Sequence, residues 1–308
     1  MNGLRLAETY YRDVGAPMIG ERFGSFVDRI AVGLVGPGSE CLGFDDELSR
    51  DHDWGPAFSM WLTDEDLDEI GGELQRAYVQ LPATFLGYGP RLASPGEEWR
   101  VGTSTTSAFF ARFTGLAHVP TATSEWLRIP EHSLATCTNG KVFHDPLGEF
   151  TRWRGALLAY YPEDVRLSKI ASVCITIAQT GQYNYTRSIR RQEAFSAQHS
   201  MIRFCSDAML LVFLLNRRYA PFYKWLHRAV GELPVLGRAV QAHVAVLLDD
   251  RSADTRAAMM EEIAALLVTE IRRQGLSDST SDFLLDHAPL VQERISDPVL
   301  RSRLAAAP

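Results

Sequence analysis

The sequence has few cysteines, and their spacing excludes two classes of small scaffold. Four cysteines are scattered over 308 residues, and no two of them form a Cys-x-x-Cys pair. A disulfide framework or a zinc site would need closely spaced or paired cysteines. We therefore expect reduced thiols that pack in the core. They are Cys41, Cys137, Cys174 and Cys205.

Long hydrophobic runs are also missing. The longest uninterrupted apolar run is the eight residues from Ala208 to Leu215, whereas a membrane-spanning helix needs about 20. The amino-terminal segment includes an early acid, Glu8, and no apolar stretch of signal-peptide length. We therefore expect no membrane partner and a cytoplasmic location.

Positive charge is not in excess either. The net charge is −7, so the chain lacks the broad basic field that non-specific nucleic-acid binding needs. A nucleic-acid partner is therefore not expected unless a local basic patch exists. Apolar residues make up 46% and charged residues 22% of the chain, which is ordinary for a globular protein and excludes disorder.

The two halves of the chain differ in pattern, which predicts an α+β protein of two domains. Short apolar runs that end in turn residues predict three strands in the first half, at 30–35, 53–62 and 99–103. Residues 1–118 are therefore expected to form a small mixed sheet with helices. Long helical patterns dominate 119–308, so we expect an all-α bundle there, apart from a short β-hairpin near 141–151.

The most informative stretch runs from Gly36 to Asp53 and combines a glycine-serine turn with an acid pair. Gly38 would let a backbone approach a phosphate closely, and Ser39 adds a hydroxyl donor beside backbone N–H groups. Side chains alternate along a strand, so Asp51 and Asp53 would share one face. Two carboxylates on one face suit a hard cation such as Mg²⁺. Together these groups favour phosphoryl chemistry on a nucleotide.

This stretch resembles the signature of the DNA polymerase β superfamily of nucleotidyltransferases, in which a hydrophobic strand, Gly-Ser and a spacer precede Asp-x-Asp or Asp-x-Glu. The spacer between Ser39 and Asp51 is 11 residues long. Ser49 resembles the serine that precedes the acids in kanamycin nucleotidyltransferase-like enzymes, although Arg50 intervenes here.

A second resemblance covers most of the chain. Four motifs are similar to those of a bacterial family catalogued as domain of unknown function 4037, which has a nucleotidyltransferase-like core. The motifs are Gly-Ser-Glu with Ser-Arg-Asp-His-Asp-Trp-Gly-Pro within 38–56, Tyr-Tyr-Pro-Glu-Asp-Val at 160–165, Gln-Tyr-Asn-Tyr-Thr-Arg at 182–187 and Leu-Asn-Arg-Arg-Tyr-Ala-Pro-Phe-Tyr-Lys-Trp at 215–225. This resemblance is specific for the fold and says nothing about the substrate.

The resemblance to nucleotidyltransferases implies roles for the motif residues. Asp51 and Asp53 would be catalytic carboxylates that hold two Mg²⁺ ions. Gly38, Ser39 and Ser49 would bind the triphosphate of ATP or of another nucleoside triphosphate. An acceptor oxygen would attack the α-phosphate and pyrophosphate would leave, while the two metals stabilise both oxygens.

A third catalytic carboxylate is implied by the same resemblance, and the sequence leaves its identity open. Glu98 lies nearest to the predicted third strand, and Asp164 or Glu193 from the helical half is the alternative. The structural explanation for these acids is solvation, with Asp164 capping a helix. Asp46 could serve metal or substrate, and His52 is expected to face away from the acid pair as a hydrogen-bonded core residue.

The helical half adds basic candidates. Arg187, Arg190 and Arg191 lie within about two helical turns, and their forked guanidinium groups suit phosphate. We take Arg187 and Arg191 as nucleotide-binding candidates, together with Lys224, which lies near Tyr219 in an aromatic stretch and could neutralise pyrophosphate. The alternative is an ordinary solvated basic face.

These patterns predict a Mg²⁺-dependent nucleotidyltransferase that moves a nucleoside monophosphate, AMP by default, to a hydroxyl of a small-molecule acceptor. One alternative is a catalytically inactive protein that binds a nucleotide and regulates a partner. Another is a toxin- or antitoxin-type nucleotidyltransferase that acts on a protein or a tRNA. The sequence leaves the oligomeric state open, a homodimer being one option.

Overall fold

The computed structural model describes residues 1–250 and 252–304. The chain folds into two compact units, and each unit is built from two stretches of sequence. The first unit comprises Met1–Thr121 and Ser133–Ala159; the second comprises Ala122–His132 and the described residues from Tyr160 onward. The described elements include both helices and a mixed sheet, so the predicted α+β class is confirmed.

All four strands of the described chain lie in the first unit. They are β1 (Ala31–Leu34), β2 (Ser59–Leu62), β3 (Gly102–Thr105) and β4 (Lys141–His144). Their order in the sheet is β3-β2-β1-β4. β1 is antiparallel to β2 and β4, and β2 is parallel to β3. Because β1 and β2 run in opposite directions, the end of β1 and the start of β2 lie at the same end of the sheet.

The helices before residue 160 belong to the first unit, except for residues 122–132, which belong to the second. They are α1 (Gly3–Tyr10), α2 (Ala16–Arg22), α3 (Ser39–Leu42), α4 (Asp64–Asp66), α5 (Gly72–Val79), α6 (Thr106–Thr114), α7 (Thr123–Arg128), α8 (Glu131–Thr138) and α9 (Glu149–Leu158). A π-helical turn, Tyr11–Gly15, joins α1 to α2, and another, Leu67–Gly71, joins α4 to α5. The first two helices are therefore continuous through Gly15.

The described residues of the second unit form helices joined by loops and turns, without a strand. Its further helices are α10 (Glu163–Ile177), α11 (Thr186–Arg190), α12 (Ala194–Leu215), α13 (Tyr223–Val230), α14 (Gly237–Asp249), α15 (Ala253–Arg273), α16 (Ala288–Glu293) and α17 (Pro298–Leu304). The π-helical segment Ala178–Tyr185 joins α10 to α11. α12 is central and apolar, and it packs against α10, α14 and α15.

Apolar side chains pack on both faces of the sheet. On one face, Met60 and Leu62 of β2 are buried in a cluster with residues of α1, α2 and α5. On the other face, the Trp61 ring stacks on the Phe150 ring of α9 at a centroid distance of 3.8 Å. Alternation along β2 sends neighbouring side chains to opposite faces. All four residues of β1 and of β2 are buried, as expected for the central strands of a sheet covered on both sides.

The predicted hairpin near 141–151 is wrong. Residues 141–144 do form a strand, β4, but it pairs with β1, and residues 149–151 begin α9. The Asp145 carboxylate accepts a hydrogen bond from the Thr151 backbone N–H at 2.7 Å. This bond satisfies one of the donors that a helix start leaves unpaired, so the chain enters a helix where a second strand was expected.

Two strands also begin at later residues than predicted. The second strand was expected to begin at residue 53, but β2 begins at Ser59 because Asp53 and Gly55 have φ angles of 53° and 144°. Those angles interrupt an extended backbone, and Pro56 follows directly. The third strand is β3 at 102–105, and Glu98–Arg100 is a 3-10 helix.

The cysteine prediction is confirmed, since all four cysteines are free and buried. In the described ranges, every helix is too short or too polar to cross a bilayer.

Candidate functional site

The turn after β1 has the predicted place in the fold. Leu34 ends the strand, and Gly38 precedes Ser39, the first residue of α3. The Asn139 side chain holds the turn on both sides: its Oδ1 accepts a hydrogen bond from Gly36 N at 3.1 Å, and its Nδ2 donates to Gly36 O at 2.7 Å. A Cβ atom at Gly36 would meet nothing within 4 Å, so there is open space beside this position.

A buried ion pair lies directly after the turn. Arg91 Nη1 is 3.1 Å from Glu40 Oε1, and the two side chains are 8% and 3% exposed. Gly3 packs against this region so closely that a Cβ there would lie 2.7 Å from the Glu40 Cβ. Burying a charged pair is costly unless both partners are present, so each side chain requires the other. The sequence alone did not identify either residue.

Asp53 is a buried carboxylate that is enclosed by donors. Ser94 donates from its backbone N–H to Oδ1 at 3.2 Å and from its hydroxyl to Oδ2 at 2.9 Å. Arg100 Nη1 lies 3.2 Å from Oδ2. The Asp53 backbone N–H in turn donates to the Leu92 carbonyl at 2.7 Å. These contacts attach residues 92–100 to the acid motif.

This environment keeps Asp53 ionised. Burial by itself raises the pKa of the carboxyl group, but the hydrogen bonds from Ser94 and the positive charges of Arg100 and Arg91 outweigh that effect. The net result is a pKa below the ordinary value of 3.8, because donors and cations favour the charged form. Asp53 is therefore an anion at neutral pH.

Asp51 lies in a different environment. Its side chain is 67% exposed and its Oδ1 is 2.8 Å from His52 Nδ1. Residues 51–53 form bends rather than a strand, so the expectation that both acids share one strand face is wrong. His52 is not the expected core residue either, because its side chain is 57% exposed.

The two acids as they lie do not fit a shared Mg²⁺ site. Asp53 directs both oxygens at Ser94 and Arg100, whereas a magnesium ligand needs a carboxylate oxygen facing the cation. Throughout the described residues, no three His, Cys, Asp or Glu side chains are grouped so that they could hold a metal ion. Binding Mg²⁺ at Asp53 would first require Arg100 to leave its carboxylate.

Several other candidate residues near the motif have structural partners. Ser49 and Asp46 bond reciprocally: Asp46 Oδ1 accepts from Ser49 N at 3.1 Å, and Ser49 Oγ accepts from Asp46 N at 3.2 Å. Glu98 is exposed, and its Oε1 accepts from Gly96 N at 3.2 Å. The neighbouring Asp45 accepts hydrogen bonds from Trp54 Nε1 and Gly3 N at 3.0 and 2.7 Å.

The remaining candidates belong to the second unit. Asp164 accepts backbone N–H bonds from Ser296 and Asp297, both at 2.9 Å, and so holds the residues that precede α17. The expected capping role is wrong, because Asp297 itself accepts from the first-turn N–H groups of Val299 and Leu300. Glu193 is exposed at the start of α12. Lys224 is exposed as well, and its Nζ lies 5.2 Å from the Trp225 ring centroid.

The predicted arginines lie on the surface of the second unit. Arg187, Arg190 and Arg191 are all exposed. Arg187 Nη1 donates to the Tyr183 hydroxyl at 2.9 Å, and its guanidinium lies over the Tyr183 ring. The candidates thus form two groups: Gly38, Ser39, Ser49, Asp51, Asp53 and Glu98 in the first unit, and Arg187, Arg191 and Lys224 in the second.

Sequence reasoning missed the partners that define the surroundings of Asp53. Arg91 and Ser94 come from the Gly- and Pro-rich passage before the third strand, and Arg100 falls within the strand predicted at 99–103. A weak signal was present, because two arginines flank this polar passage near a chain segment rich in acids. Contacts across about 40 residues cannot be read from local spacing.

Comparison with known families concerns the middle of the chain. The family described as a domain of unknown function (DUF4037) matches residues 126–226, about a third of the chain. The matched range contains the motifs at 160–165, 182–187 and 215–225, and it does not include the glycine-serine turn or the acid pair. No curated protein and no solved structure matches the chain. The chain is therefore similar to DUF4037 over residues 126–226, as its motifs predicted.

Proposed function

We propose that this protein is a nucleotidyltransferase that binds a nucleoside triphosphate, ATP by default, at the turn formed by residues 36–39. It would transfer the nucleoside monophosphate to a hydroxyl group of a small molecule. One observation carries this proposal: the antiparallel pairing of β1 and β2 brings the glycine-serine turn and the ionised Asp53 to the same end of one sheet. This is the juxtaposition that the sequence motif requires.

The local chemistry supports a phosphate ligand at the turn. Gly38 and Ser39 are partly exposed in the turn that follows a buried strand, and there is open space beside Gly36. Backbone N–H groups in such turns bind anions. Ser49 and Glu98 belong to the same unit as the turn and keep their proposed roles, and Asp51 of that unit remains an exposed acid.

The proposed reaction exchanges one phosphorus–oxygen bond for another. The acceptor oxygen forms a bond to the α-phosphorus, the bond from the α-phosphorus to the bridging oxygen breaks, and pyrophosphate leaves with the electron pair. The hydroxyl proton passes to solvent or to a carboxylate. The acids as folded do not fit a shared Mg²⁺ site. The reaction is therefore to be measured both with and without Mg²⁺.

A second candidate function is favoured by the contacts of Asp53. The Arg100 ion pair and the Ser94 hydrogen bonds occupy the carboxylate that would have to act in catalysis. A protein that binds a nucleotide and regulates a partner needs the turn but not a free Asp53. In that case Asp53 would serve only to attach residues 92–100.

The two candidates are separated by measuring nucleotide binding and pyrophosphate release side by side. We would use each of the four ribonucleoside triphosphates, with and without Mg²⁺, and supply metabolite extract as the acceptor pool. The variants are Asp53→Asn and, as a matched control, Asp68→Asn, which removes an exposed carboxylate of the same unit.

We expect the wild type and Asp68→Asn to release pyrophosphate and Asp53→Asn to lose at least 100-fold in rate. Binding without release by the wild type would favour the regulatory function and contradict catalysis. If no triphosphate binds, or if Gly38→Val leaves the affinity for the triphosphate unchanged, the turn is not a nucleotide site and both functions are wrong.

A further inference from the structure

A helical hairpin in the second unit presents an unusual outer face. The π-helical segment ends at Tyr185, α11 follows, residues 191–193 make the turn, and α12 begins at Ala194. Three arginines and three rings are exposed on this hairpin. We call them the arginine–aromatic surface; its members are Tyr183, Arg187, Arg190, Arg191, Phe195 and His199.

The arginines of this surface are available to an anion. In the described parts of the chain, no carboxylate lies within 4.0 Å of Arg187, Arg190 or Arg191. The guanidinium of Arg187 is oriented by Tyr183, whose ring centroid lies 4.7 Å from its Cζ. The turn contains one exposed acid, Glu193, so the surface keeps a positive balance although the whole chain is acidic.

Nearby acids are otherwise engaged. Arg203 Nε lies 2.7 Å from Asp207 Oδ2, and the Asp207 side chain is only 6% exposed. Glu261 accepts a hydrogen bond from Gln182 Nε2 at 2.8 Å. Within the described residues, neither acid forms an ion pair with the three surface arginines.

The rings of this surface are exposed to solvent. Phe195 is 82% exposed and Tyr183 is 50% exposed. The Phe195 and His199 rings are nearly parallel, with an interplanar angle of 20° and a centroid distance of 6.1 Å. An exposed phenylalanine gains nothing in the isolated protein, whereas a partner that covers it removes apolar area from water.

We propose that the arginine–aromatic surface binds single-stranded nucleic acid. Such ligands offer phosphates at every step, which suit unpaired guanidinium groups, and bases that stack on exposed rings. An acidic protein would satisfy the arginines, but it would not supply a series of flat faces for Tyr183, Phe195 and His199. The inference is independent of the proposed nucleotidyl transfer, since it concerns exposed residues of the second unit and requires no turnover.

The test is a binding titration with the full-length protein. A fluorescein-labelled 12-nucleotide oligouridylate is followed by fluorescence anisotropy over a series of salt concentrations. The test variant is Arg187→Gln/Arg190→Gln/Arg191→Gln. The matched control is Arg5→Gln/Arg76→Gln/Arg238→Gln, which removes the same charge from three other exposed arginines.

We expect the test variant to bind at least tenfold more weakly than the control. The slope of log affinity against log salt should fall by about two, because each phosphate contact on a single strand contributes about 0.7. Phe195→Ala should weaken binding by about tenfold with little change in slope, because base stacking is not an ionic contact.

Each contrary result overturns the proposal. One contrary result is that the wild type does not bind the oligonucleotide at low salt. Another is that the two triple variants lose the same affinity, which would mean that overall charge explains the binding. A third is that ATP, at equal phosphate concentration, displaces the labelled oligonucleotide as well as unlabelled oligouridylate does. The surface would then be a mononucleotide site. A fourth is that oligoglutamate of equal charge binds as tightly as the oligonucleotide and that Phe195→Ala does not change the affinity. The partner would then be an acidic protein.

Discussion

Asp53 shows how a single residue can anchor a motif. Its left-handed φ of 53° turns the backbone so that its N–H reaches Leu92 and its carboxylate reaches Ser94 and Arg100. A carboxylate in this position stabilises the fold only while it is ionised, because its partners are donors and a cation. Stability and the proposed chemistry therefore depend on the same charge.

We predict that Asp53→Asn lowers the free energy of unfolding by about 1–3 kcal/mol at pH 7, since asparagine tolerates the left-handed conformation but loses the charge. The folded-state pKa of Asp53 is lowered, so its contribution is present above the unfolded pKa of about 3.9 and is lost as the pH falls through the folded value. Urea denaturation between pH 3 and pH 7 measures this.

The difference between wild type and Asp53→Asn should stay constant from pH 7 to about pH 5 and shrink towards pH 3. Asp68→Asn serves as the control, because it removes an exposed carboxylate and should change stability by less than about 0.5 kcal/mol. A difference between wild type and Asp53→Asn that does not depend on pH would contradict the assigned ion pair.

At the scale of elements, the segment between α3 and β2 is shaped by backbone angles rather than by strand pairing. Gly55 has a φ of 144°, and a Cβ there would lie 3.0 Å from Arg91 N and 3.1 Å from Arg91 Cα. The two passages around residues 55 and 91 therefore approach each other backbone to backbone. This approach positions Arg91 beside Glu40.

We predict that Gly55→Ala destabilises the protein by about 1–3 kcal/mol, because the new methyl group meets backbone atoms in a conformation that side chains rarely adopt. The matched control is Gly20→Ala in α2, where a Cβ meets nothing within 4 Å. That change should stabilise by up to about 1 kcal/mol. Thermal and urea unfolding compare the two, and equal effects would refute the assigned close approach.

At the scale of the whole molecule, each unit is assembled from two separate stretches of chain. β4 and α9 follow a segment that belongs to the other unit, yet they complete the sheet of the first unit. Phe150 of α9 is fully buried against Trp61, and Trp153 stacks on Phe110 at 4.9 Å. The first unit therefore requires residues 133–159.

We predict that a fragment of residues 1–159 unfolds cooperatively in urea and that a fragment of residues 1–118 does not, since the shorter one lacks β4 and α9. Circular dichroism and tryptophan fluorescence measure both transitions. In the intact chain, Phe150→Ala should cost about 3–5 kcal/mol. A cooperative transition of the shorter fragment, together with a small effect of Phe150→Ala, would show that 133–159 is dispensable.

Local pattern was enough to predict much of the fold. The long helices α12 and α15 follow apolar spacing, and β1 follows a short β-branched run. Local pattern gave a wrong prediction where a partner distant in sequence determines the backbone conformation. Residues 149–151 became a helix because β1 was the partner of β4, and residues 51–58 stayed irregular because of contacts with the passage around residue 91.

The amino-acid sequence by itself determined the α+β class, the position of the glycine-serine turn after a buried strand, and the burial of the four cysteines. These properties follow from hydrophobic spacing and from residue types that act over a few positions. Only the tertiary structure decided that Asp53 is enclosed by Ser94 and Arg100, that Glu40 pairs with Arg91, and that Asp51 is exposed. Those contacts join residues about 40 to 50 positions apart, and no local pattern encodes which of them meet.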